Sequence, residues 1–137
     1  NSIVGQSISK HIQNIKEKRF KDFENIEKLL SEKDVNLIKK KNIIDKDQFN
    51  SEVDVLKKEF LEYKNEKKKF INELDKKKIK YTKIVLNTLN PIISKYVEDN
   101  SIEIVFSKKD IIIAKKDLDI TNQVMDLLNS QLVKIDF

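Results

Sequence analysis

Few side chains of this chain are equipped for covalent or acid–base chemistry. Among its 137 residues there is one histidine, one glycine and no cysteine. A catalytic nucleophile needs a base beside it and a bound phosphate needs a glycine-rich cradle, so the parts for both are missing. The chain reads as no enzyme, with no cofactor and no metal site, and whatever it does to other molecules it does without ATP. His11 stands between Lys10 and Ile12 on a charged helical stretch and is expected at the surface. Glu59, Glu62 and Glu66 recur at helical spacing among lysines, the pattern of solvated pairs worth roughly 0.2–0.5 kcal/mol each.

What remains is the chemistry of a surface. Three lysine clusters stand out: Lys39, Lys40 and Lys41; Lys67, Lys68 and Lys69; and Lys76, Lys77 and Lys78. Residues 1–98 carry 23 Lys/Arg against 16 Asp/Glu, whereas residues 99–137 carry 5 against 7. Such a field attracts acidic partners, whether nucleic acid, anionic lipid or polypeptide. Nucleic acid is set aside, because the basic residues are interleaved with acids along the chain instead of lining one face with aromatics. The apolar candidates for partner contact are Phe20, Ile43, Ile44, Phe49, Phe60 and Phe70. Most aromatics are expected in a helical seam, while Phe20 and the pair Ile43–Ile44 lie off its stripe with little to cover them.

Long helices must position these residues. Neither glycine nor proline interrupts positions 6–90, and 37% of the residues are charged against 39% apolar, as suits exposed helices with little core to face. Ile8, Ile12, Ile15, Phe23, Ile26, Leu30 and Leu37 share one helical face. A second stripe, stepping by four and three, runs Phe49, Val53, Leu56, Phe60, Tyr63, Lys67, Phe70, Leu74, Lys77, Tyr81, Ile84, a heptad interrupted by two lysines. Between the stripes, Lys39–Lys41 and Asn42 suit a helix end, and Asp45 with Gln48 resembles a capping box. The pattern predicts an antiparallel helical hairpin over 6–98 with its bend near 40–47. Pro91 is expected to kink the second helix, which then runs on to a stop at Asp99–Ser101.

The remainder, 101–137, has a different texture. Ile102 to Phe106 alternates with period two, Ser107–Asp110 reads as a turn and Ile111–Ala114 as a second strand. Asp119 or Thr121 is placed to cap a last helix carrying Val124, Leu127, Leu128 and Leu132. A lone two-stranded hairpin is marginal and its edges invite pairing, so self-association is expected, with Ile102, Ile104, Phe106, Ile111, Ile113 and Ile120 in a shared body. The fold class is α+β, mainly α, and 1–137 is one domain.

This order of elements, and above all the tail Ile102–Asn129, resembles the Skp/OmpH family of periplasmic chaperones. The resemblance implies a homotrimer whose short strands form a β body, with helical hairpins as tentacles around a cavity. It implies an ATP-independent holdase that keeps unfolded outer-membrane proteins from aggregating, and basic contacts to acidic clients, lipopolysaccharide phosphates or an anionic membrane surface. Family members begin with an apolar strand, whereas Asn1-Ser2-Ile3-Val4-Gly5 matches the segment just after it, so a signal peptide and first strand are expected to be missing from this chain. The competing reading is a structural coiled-coil or adaptor protein that binds an acidic partner.

Overall fold

The computed structural model describes residues 2–137, and Asn1 lies outside the described residues. Among the described residues there are three α-helices: α1 (Ile3–Lys40), α2 (Lys46–Asp99) and α3 (Thr121–Gln131). Two short 3₁₀ turns, Lys108–Asp110 and Lys116–Leu118, lie between α2 and α3, and no strand occurs among the described residues. The chain divides into two compact units, one of residues 13–76 and the other of residues up to Ile12 together with Lys77–Phe137.

In the 13–76 unit the turn is made by local chemistry. Lys39 and Lys40 close α1, where cations suit the negative end of the helix dipole. Asp45 then starts α2, its Oδ1 accepting from the backbone N–H of Asp47 (2.9 Å) and Gln48 (3.0 Å). Only this half of the expected capping box forms, because the Gln48 amide is turned forward to Glu52 (3.4 Å). The helices then run antiparallel over a core of Phe23, Leu30, Leu37, Leu56 and Tyr63, with Phe20, Ile26, Phe49, Val53 and Phe70 packed against it. Phe23, Ile26, Leu30 and Leu37 of the first stripe and Phe49, Val53, Leu56, Tyr63 and Phe70 of the second therefore meet in this seam, whereas Phe60 is exposed and Ile12 and Tyr81 belong to the other unit. Phe23 is its centre at 1% exposure, edge-on to Tyr63 and Phe70 with ring centroids 5.8 Å away in each case.

In the other unit Val4, Ile12, Tyr81, Ile92, Val124, Leu128 and Ile135 are buried. The side-chain Oδ1 of Asn129 on α3 accepts from the N–H of Ile3 (2.9 Å), satisfying a free donor at the start of α1. His11 is not the surface residue expected. Its ring is half-buried, stacked on Phe137 at 3.9 Å between centroids and meeting the edge of Tyr81 at 6.1 Å. Tertiary contact overrides its charged sequence neighbours, because the chain's last residues fold back over it. Pro91 lies inside α2 and does not end it. The helix stops instead at a left-handed residue, Ser101 (φ 52°), where Ile102 N–H reaches Val97 O (2.9 Å) in a Schellman closure.

The expected β-hairpin is absent from the single chain. Residues 107–110 form a 3₁₀ turn, with the N–H of Asp110 on Ser107 O at 2.9 Å. That turn holds no glycine or asparagine to reach the positive φ values that tight hairpins use, so its flanks do not come into ladder register. Ile104 and Phe106 are each 66% exposed and Ile113 is 90% exposed; Ile111 is exposed too, whereas Ile102 and Ile120 are half-buried. Ile120, rather than Asp119 or Thr121, holds the N-cap position of α3, and it makes no side-chain cap bond. Asp119, one residue earlier, accepts from the N–H (3.0 Å) and hydroxyl (2.5 Å) of Thr121 and from Lys108 Nζ (2.5 Å). The Lys108 bond, followed by those from Thr121, holds its carboxyl well below the usual carboxylate range.

Candidate functional site

No group of three or more metal-ligating side chains is gathered among the described residues. Among the same residues no helix is long and apolar enough to cross a membrane. Interest therefore falls on the flanks of the 13–76 hairpin, where a two-helix seam can cover only one stripe per helix. Leu29, Val35, Ile38, Ile43, Val55, Phe60 and Leu61 remain exposed there, Ile43 by 79% and Leu61 by 61%. Leu37, Val53, Leu56, Phe60 and Leu61 line a shallow groove rimmed by Asp34, Lys57 and Lys64.

The apolar candidates separate into two groups. Ile43 and Phe60 are exposed and free to meet a partner. Phe49 and Phe70 are half-buried in the seam, and Phe20, expected to lack cover, is packed edge-on to Phe23 (6.2 Å) and Phe70 (6.3 Å). The reason is ring size: Phe20 sits beside the stripe, yet its side chain reaches across to Phe70 on α2. Ile44 is half-buried in the turn.

The lysines also divide. Lys40 Nζ binds Glu52 (3.1 Å) across the hairpin, and Lys33 Nζ binds Glu59 (2.7 Å) one heptad away on each helix. Lys67 does not reach into solvent as a free cation. Its Nζ donates to Tyr63 Oη (2.8 Å) and Glu27 Oε1 (2.9 Å), and the Tyr63 hydroxyl donates to the same Glu27 oxygen. Hydrogen bonds from Tyr63 and then Lys67 lower the Glu27 pKa. Burial, then the bond to Glu27, raises that of Tyr63, and the bonds to Tyr63 and Glu27 raise that of Lys67. The lysine read as a gap in the heptad is a cross-helix ligand, and only contact between residues 40 positions apart could have shown it. Lys39, Lys41, Lys68, Lys69, Lys76, Lys77 and Lys78 are all exposed. Sequence reasoning missed Leu29, Val35, Ile38, Val55 and Leu61, whose signal was their place off both stripes.

Such a surface offers scattered apolar contacts among exposed cations. No curated protein matches the sequence. A crystal structure of a candidate outer membrane chaperone (OmpH-like) from Caulobacter crescentus is similar over the whole of this chain and 81% of that one, with a TM-score of 0.88 at 18% identity. The family model for outer membrane protein (OmpH-like) matches residues 1–128. The chain therefore belongs to the OmpH-like family.

Proposed function

We propose that the protein is an ATP-independent holdase of the bacterial periplasm, which captures unfolded outer-membrane proteins among its helical hairpins and keeps them from aggregating. The observation that carries this reading is the flank of the 13–76 hairpin, where Leu29, Val35, Ile38, Ile43, Val55, Phe60 and Leu61 stay exposed beside lysines. An unfolded barrel protein presents short apolar strands and acidic residues in changing order. Many weak contacts of both kinds hold such a chain by avidity, and each lets go without fuel.

The working form in this reading is a homotrimer. Residues 102–106 and 111–114 are strand-prone, apolar and unpaired, with Ile112 at 96% exposure, and pairing with other copies would remove that liability. The exposed lysine clusters would serve acidic client segments first and lipopolysaccharide phosphates or an anionic membrane surface second.

The test is light scattering as a urea-unfolded outer-membrane barrel protein is diluted into nucleotide-free buffer. Stoichiometric suppression of scattering supports the reading. Unchanged aggregation in the presence of the full-length protein defeats it.

A further inference from the structure

The heptad of α2 fails a second time at Lys77, which is exposed where a seam residue is expected. The next seam position, Tyr81, is nonetheless only 4% exposed, and the rings that meet it come from two other segments. His11 of α1 stands edge-on to Tyr81 at 6.1 Å between centroids, and Phe137 stands edge-on to it at 5.3 Å. Phe137 also lies flat on His11, with centroids 3.9 Å apart and the rings 7° from parallel. Each of three rings, one from α1, one from α2 and one from the segment after α3, thus touches the other two. Ring pairs of this kind contribute beyond the area they bury.

Residues 132–137, which bring Phe137 there, form no helix or strand. The N–H of Leu132 closes α3 on Leu128 O (2.8 Å). Beyond it Ile135 is buried and the Phe137 ring meets both helices, while Val133, Lys134 and Asp136 stay exposed. The helix before this segment has anchors of its own: Val124 and Leu128 are buried, and Asn129 Oδ1 accepts from the N–H of Ile3 (2.9 Å). A segment seated by two apolar side chains, with no ladder, opens locally at little cost while the element before it stays folded. We propose that residues 132–137 are a strap: docked, they fasten α1 to α2 at His11 and Tyr81, and lifted, they free that stretch of the two helices without unfolding α3 or the 13–76 seam. Its action does not depend on what the hairpin captures.

Amide hydrogen exchange of the full-length protein, followed by mass spectrometry, tests the strap. In I135A/F137A the amides of residues 8–12 and 77–84 should exchange about tenfold faster or more, while those of 23–37, 49–63 and 121–131 keep the protection they have in the parent. Unchanged exchange at 8–12 and 77–84 overturns the proposal. Acceleration shared equally by α3 and the 13–76 seam overturns it too, because the segment would then belong to one cooperative core. Should the double variant lose its helices by circular dichroism, F137A, which leaves Ile135 in place, is read in the same way: acceleration confined to 8–12 and 77–84 supports the strap, and any other result, loss of helix included, overturns it.

Discussion

Phe23 carries the 13–76 seam more than any other side chain, touching Tyr63 and Phe70 ring to ring with the Arg19 guanidinium 4.7 Å above its face. Truncation to alanine should cost about 3–5 kcal/mol, read as a lowered midpoint in urea, because the two helices cannot collapse onto the void without losing Phe20 and Phe70 as well. Phe60→Ser, at an exposed ring, should leave that midpoint within about 0.5 kcal/mol while weakening client capture. The polar cluster gives a signed pH dependence. Glu27 has a lowered pKa, so its contribution is present above the ordinary carboxylate range and fades as pH falls through its folded value. Lys67 and Tyr63 have raised values, so theirs is fully present below their ordinary ranges and is lost as pH rises through the folded ones. The gap in melting temperature between the protein and Glu27→Gln should therefore be widest near neutrality and close in acid; a gap independent of pH would remove the ionised carboxylate from the account. At this scale the sequence was partly readable. Tyr63 and Lys67 were visibly heptad positions, but their common partner Glu27 lies on another helix, and His11 met Phe137 only through the fold.

Helix ends were more legible than strands, because caps are local. Asp45 was recognisable as a helix start and caps α2 through two backbone N–H groups. Asp45→Ala should cost about 1 kcal/mol, seen in thermal melts. The Asp99–Ser101 stop was also visible, yet only the structure shows that Ser101 takes a positive φ, a conformation that glycine reaches without strain. Ser101→Gly should then leave stability unchanged or raise it by up to about 1 kcal/mol, whereas Ser101→Val should lower it. Residues 102–106 and 111–114 illustrate the opposite case. Their alternation is real, but a strand exists only with a neighbour, and the 3₁₀ turn at Lys108–Asp110 brings none within the chain. Period-two sequence records a capacity to pair, not the identity of the partner.

At the scale of the molecule, a thin core and a rich surface follow from the same composition. Each unit buries a modest set of apolar residues, and no buried side-chain polar atom among the described residues lacks a partner. What is left outside, apolar flanks, lysines and unpaired strand-prone residues, is what a holdase assembled from several copies would use. Because steering by exposed charge is screened beyond about 8 Å at physiological ionic strength, client capture should weaken as salt is raised. Capture indifferent to salt would confine the lysines to solvating the helices. The most direct measurement is sedimentation velocity of the full-length protein mixed, without nucleotide, with an unfolded outer-membrane barrel protein. A trimeric holdase gives one soluble species with the mass of three copies and one client; a lone monomer sedimenting apart from pelleted client would contradict that reading.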